Sequence, residues 1–336
     1  MISEQPDREN NVSIRRVSKF AIGAVGFVLS GLTLWLVFRD IEVAKLLAMT
    51  GRIRFMPLLG ALALYWAMMV SVRAAFIGYL LKPIGRIGLN KAYRYICIGY
   101  LANNVLPFRM GEVVRTGGIA GVSGIRFSSV VGSLAIERLL DMSMMIVLFV
   151  VATQVAPLPA GVRMGIMTTG SLLVATVIVF AVLARRDLRE IQHTKKNQLK
   201  SIIWNLFVRF TVGLKRFGTS REILVAVGFS AVIWGFAIAV IMLRLMAFDL
   251  EPSIPVGLVL LASIAFGVSL PSAPGYVGVY HAFAAGALIL FGVDEEVAVG
   301  FAIFSHAADI IPSVVFGIVS MVLEGLGWAD LKRKPE

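Results

Sequence analysis

The chain has 336 residues, 58% of them hydrophobic and 15% charged, with a mean hydropathy of +0.85. A soluble domain is about 45–50% apolar and about 25% charged, so these values exclude a soluble enzyme, a disordered chain, a coiled coil and a disulfide scaffold. The net charge of +12 reads, in a membrane chain, as basic cytoplasmic loops rather than a nucleic-acid surface. Cys97 is the single cysteine, which excludes an intrachain disulfide and a cysteine-based zinc site.

Residues 1–19 form a polar tail with no cleavage pattern, so the first apolar run, 20–38, is expected to remain as a span. The next run, 55–81, is interrupted by Arg73. Residues 92–122 are apolar but broken by Asn103, Asn104, Pro107 and Gly111. The run 127–155 carries Glu137, Arg138 and Asp141, and 164–184 follows it. Residues 199–217 place Leu199, Ile203, Leu206, Phe210 and Phe217 at helical spacing with Lys200, Arg209 and Lys215 between them. That pattern predicts a basic amphipathic helix in the membrane interface. The run 223–248 holds Arg244 near its end. Residues 254–291 are broken by Pro271, Pro274, Gly275 and Gly278, and 297–323 contains His306 and Asp309.

A helix needs about 20 residues to cross a bilayer. Six runs qualify as full transmembrane helices, which makes the fold class an all-α polytopic membrane protein. Proline and glycine end helices, and irregular backbone at membrane depth needs protein or a wet cavity to satisfy it. The two broken runs are therefore expected to be re-entrant hairpins of two half-helices each; eight simple spans is the alternative.

The segment 185–221 holds ten Lys and Arg, and the tail 324–336 contains Lys332, Arg333 and Lys334, so both are expected inside the cytoplasm. Both termini then lie inside, in the cytoplasmic (inner) membrane. Loops near Asp249 and Asp294 belong outside. The halves 20–155 and 156–323 each read span, span, hairpin, span, in opposite orientations. Such an inverted repeat with discontinuous helices marks transporters and places a site near the midplane. No repeat is visible residue by residue.

The most informative segment runs from Asn103 to Arg115. Two asparagines before Pro107 suit a sharp apex with free amides, and Pro107 is expected to open a new helix whose start favours an anion. Arg109 has no local partner and is a candidate phosphate or carboxylate ligand. Glu112 and Arg115 are three apart and are expected to neutralise each other. Glu137, Arg138 and Asp141 are expected to form an intramembrane ion-pair network ahead of any headgroup-binding or acid–base role. His281, His306 and Asp309 admit a proton relay, with hydrogen bonding between helices ranked ahead of it. They do not complete a metal site, and no Walker loop or nucleotide fingerprint is present, so no metal or cofactor is expected.

The string N-N-x-x-P-x-R-x-G-E-x-x-R at Asn103 to Arg115 resembles the signature of the lysylphosphatidylglycerol synthase transmembrane family, also called flippase-like membrane proteins. Glu137-Arg138-Leu139-Leu140-Asp141 is similar to that family's E-R-x-x-D, and the segment from Pro271 through Pro274 and Gly275 to Gly278 to its P-x-x-P-G-x-x-G hairpin. His281 stands where the resemblance leads one to expect an acidic residue. The resemblance implies a lipid translocator. Bifunctional members add a soluble aminoacyl-transferase domain, for which residues 324–336 leave no room, so the chain is not expected to make lysyl-lipid itself. A membrane-embedded transferase on a lipid-linked donor and a non-catalytic subunit of a lipid pathway are the alternatives. Expected partners are membrane lipids, with a lipid-pathway enzyme or a second copy of the chain as further candidates.

Overall fold

The computed structural model describes residues 53–106, 109–156, 220–270 and 272–328, together with isolated positions in 31–51 and 159–175 and Leu331. The expected spans 20–38 and 164–184 and the interfacial helix 199–217 lie wholly or largely outside the described residues.

Among the described residues the protein is all-helical. Helix α1 is Phe55–Leu81, with a π-helical stretch at Leu64–Met69. Helices α2 (Leu89–Val105) and α3 (Gly111–Ser123) form the first helix pair, and α4 is Phe127–Val155. Helix α5 is Ser220–Ala247; α6 (Ile254–Ser269) and α7 (Val279–Ile289) form the second pair, joined through a 3-10 turn at Pro274–Tyr276; α8 is Glu295–Leu323. Helices α1, α5 and α8 are apolar and long enough to cross a membrane. The 11 residues of α7 span only about 16 Å at 1.5 Å per residue, roughly half of a hydrocarbon core about 30 Å thick.

Hydrophobicity is distributed inside out relative to a soluble protein. Met56 of α1, Leu224 of α5 and Val322 of α8 are largely exposed, whereas Glu137, Arg115, Arg244 and His306 are buried. Apolar exteriors with ionised interiors suit a lipid solvent, in which charges must face one another. One apolar core surrounds each helix pair. Ile77, Tyr95, Ile98, Leu101, Ile119 and Leu134 pack around the first, and Phe149, Leu245, Leu260, Leu288 and Phe301 around the second.

Helix α2 packs along α8, α6 along α4, and α1 against α5. Helix ends meet pairwise. Arg54, before α1, bonds Asp249, after α5; Tyr79, late in α1, donates to the Glu222 carbonyl early in α5; Arg94 of α2 bonds Glu324 beyond α8. Helices α1 and α5 are thus antiparallel.

Candidate functional site

The loop of the first pair begins where α2 ends at Val105. Asn103, two residues earlier, is buried, and its Oδ1 accepts the backbone N–H of Gly111 at 2.8 Å, tying the start of α3 to the end of α2. The approach leaves no room for a side chain at Gly111, whose added Cβ would lie 2.0 Å from the Gly99 carbonyl oxygen. Helix α3 therefore begins at Gly111, not at Pro107 as the sequence suggested. Arg109 and Met110 form a turn before it, because Arg109 has φ of 53° and cannot join a right-handed helix.

Six charged side chains meet behind this loop. Glu137, fully buried on α4, is held by Arg73 of α1 and by Arg115 of α3 at 3.2 Å. Arg73 also bonds Asp141 at 3.2 Å, and the Trp234 indole N–H of α5 donates to the other Asp141 oxygen. Glu112 takes Arg115 at 2.9 Å and Arg138 of α4; Arg138 reaches back to Asp141 at 3.6 Å. Three arginines balance three carboxylates. The network is wider than the local pairs read from spacing, because Arg73 arrives from a helix 64 residues away in sequence. The signal for it was present: a lone arginine inside an apolar span needs a partner inside the membrane.

Arg109 stands apart from that balance. It has no ion pair among the described residues; its Nε is buried without a hydrogen-bond partner, and its guanidinium lies over the Tyr276 ring, 5.6 Å from the centroid. Tyr276 belongs to the loop of the second pair, so the two breaks meet. Asn104 also touches that loop: its Oδ1 would lie 3.6 Å from a Cβ at Gly275, and its amide donates to Ser313 Oγ on α8. Ser313 in turn donates to the Ile310 carbonyl at 2.8 Å. Tyr276 and Ser313 were not singled out in the sequence, since a tyrosine in a loop and a serine in an apolar helix carry no pattern of their own.

The second loop is clamped by neutral groups. Gly278 donates its backbone N–H to His281 Nδ1 at 3.3 Å, so that nitrogen is an acceptor. His281 Nε2 then carries the proton and donates to His306 Nδ1 at 3.2 Å, and the Gly275 backbone hydrogen-bonds to His306 as well. This chain runs from the start of α7 through α8 and back to the turn that contains Pro274. Tyr280 stacks on His306 with ring centroids 4.3 Å apart and meets Arg244 at 3.5 Å.

Asp309 does not bond either histidine in this arrangement; it takes both guanidinium nitrogens of the buried Arg244, one at 3.0 Å. The proton-relay candidates thus fall into a histidine clamp and a separate arginine–aspartate pair. Arg94 is engaged by Glu324 far from the loops. A cavity of about 440 Å³ lined by Arg86, Asn90, Lys91 and Val122 lies at the opposite end of α2. No group of three or more metal-ligating side chains occurs among the described residues.

Comparison with curated proteins and with solved structures gives no match. Residues 23–317 match the family model described as the lysylphosphatidylglycerol synthase TM region. That match takes in both loops, the charge network, helices α1 and α5 and most of α8, and by it the chain, a multi-pass membrane protein, belongs to the lysylphosphatidylglycerol synthase transmembrane family.

Proposed function

We propose that the protein is a lipid translocase of the cytoplasmic membrane, with both termini inside, moving a lipid whose headgroup is anionic or bears a phosphate. One observation carries the proposal. Two broken helix pairs bring their loops together, and a guanidinium without an ion pair lies between them. Arginine presents a planar fork suited to phosphate oxygens, and buried cations are retained in membranes for such uses.

The two pairs act as re-entrant hairpins of an inverted repeat, one entering from each side. Several packing relations support this: exchanging the halves turns α2 on α8 into α6 on α4 and maps the α1–α5 contact onto itself. The lipid tail stays in the bilayer while one half rocks against the other. The transferase alternative is the weaker one, since Glu112, Glu137 and Asp141 are all held by arginines and none is free to act as a base.

The test is flipping of a fluorescent phospholipid in reconstituted vesicles. Translocation should rise with protein per vesicle and fall at least about tenfold in Arg109→Ala, the loss expected for a charge-assisted hydrogen bond. Wild-type vesicles no faster than protein-free ones would sink the proposal.

A further inference from the structure

The two loops correspond at four positions. Helices α2 and α6 end on Val105 and Ser269, and each is followed by a leucine with extended backbone, Leu106 and Leu270. A proline follows in sequence each time, Pro107 and Pro271. Near the far end of each loop stands a non-glycine residue with positive φ, Arg109 at 53° and Tyr276 at 59°. Two residues later comes a glycine at the start of the next helix, Gly111 or Gly278. The second loop is three residues longer, and the additional length lies before Tyr276.

Correspondence continues beyond the loops. Helices α4 and α8 both have 29 residues, with Asp141 fourteen residues beyond Phe127 and Asp309 fourteen beyond Glu295. Each aspartate takes an arginine from the first described membrane-length helix of its own half, Arg73 or Arg244. A left-handed conformation costs a side-chain-bearing residue about 1–2 kcal/mol, so two such residues at matched positions, in contact with each other, mark a functional pair.

Charge then limits what the pair can hold. Arg73, Arg115 and Arg138 are balanced by Glu112, Glu137 and Asp141, and Arg244 by Asp309. Arg109 is the uncompensated cation of this region among the described residues. We infer that Arg109 and Tyr276 are two-fold-equivalent halves of one headgroup site, which takes a lipid with a single negative charge once the Tyr276 ring leaves the guanidinium. The inference rests on the translocase reading and names its substrate class. Tyr276 is the specificity-determining position: an arginine there would give the site a second charge. The backbone permits it, because Arg109 already holds that conformation in the first loop.

The test uses the purified full chain in phosphatidylcholine nanodiscs doped with phosphatidylglycerol, a monoanion, or phosphatidic acid, a phosphomonoester dianion at mildly alkaline pH. Native mass spectrometry reads the lipid retained. Wild type and Tyr276→Phe should retain phosphatidylglycerol over phosphatidylcholine and gain nothing from phosphatidic acid. Tyr276→Arg should favour phosphatidic acid by about tenfold, one charge-assisted contact. The swap of Arg109→Tyr with Tyr276→Arg should restore wild-type selectivity, as equivalent positions require.

Unchanged selectivity in a folded Tyr276→Arg, or a swap that binds neither lipid, overturns the equivalence. A wild type that prefers phosphatidic acid, with that preference lost in Arg109→Ala, overturns the single-charge assignment and leaves the headgroup site standing. Arg109→Ala indistinguishable from wild type removes the headgroup site itself. Wild-type selectivity decides the charge count even where a loop variant fails to fold.

Discussion

Where α2 gives way to α3, the surrounding helices supply Arg73, Glu112, Arg115, Glu137, Arg138 and Asp141. Where α6 gives way to α7, they supply, among the described residues, one ion pair, Arg244 with Asp309, and otherwise the neutral rings of Tyr280, His281 and His306. The backbone devices match and the chemistry does not. A charge network in hydrocarbon is secure only while every member is paired, whereas stacked and hydrogen-bonded rings tolerate the loss of one contact. The first loop is thus braced by electrostatics and the second by shape and hydrogen bonds. Removing comparable groups from each should have unequal effects.

The largest effect is expected for Glu137→Ala. It strands Arg73 and Arg115 without their shared partner and should cost about 3–5 kcal/mol, as breaking a buried pair does, read as thermal unfolding in detergent. Gly111→Ala comes next. Its Cβ would collide with the Gly99 carbonyl, at about 1–3 kcal/mol or more for overpacking, and it should loosen the first loop toward proteolysis. His306→Ala should cost about 1–3 kcal/mol by removing the buried hydrogen bond to His281 and the stacking on Tyr280. If it proves as damaging as Glu137→Ala, the contrast between the loops fails.

Gly275→Ala tests the second loop by backbone alone. A Cβ there meets nothing closer than 3.6 Å, but φ is +70°, so about 1–2 kcal/mol of conformational strain is the expected loss. Arg109→Ala should be the mildest for stability. It removes a cation–π contact of about 0.5–1 kcal/mol and should raise or barely lower the melting temperature while abolishing lipid selectivity. A large loss of stability in that variant would make Arg109 another structural ion.

The helices were legible because a bilayer imposes a length and a composition. Residues 55–81 and 127–155 were marked out by apolar content, and the helices observed have those bounds. Proline and glycine density located both breaks. The start of α3 was misjudged because Pro107 looks like a first-turn proline, while the position is fixed by a contact between Gly111 and Gly99 that no local pattern announces. Glu112 with Arg115 was visible at three-residue spacing. Arg73 on Glu137 and Arg244 on Asp309 were not, since pairing across helices depends on which faces meet. The match of Arg109 to Tyr276 escaped notice because it is written in φ angles rather than residue types.

The π-helical stretch at Leu64–Met69 sets where Arg73 points. Val70 donates to the Tyr65 carbonyl five residues back, so the backbone there accommodates more residues per turn than an ordinary helix. One residue of phase in a helix is about 100°. Excising a residue from Leu64–Met69, to restore regular winding, would rotate one end of α1 against the other. Either Arg73 would swing away from Glu137, or Trp66 would leave the rings of Tyr100 and Phe316. Helix α1 thus works as a two-part dial, one part indexed to aromatic packing and the other to the ion network. The wide turn between them lets both settings hold at once.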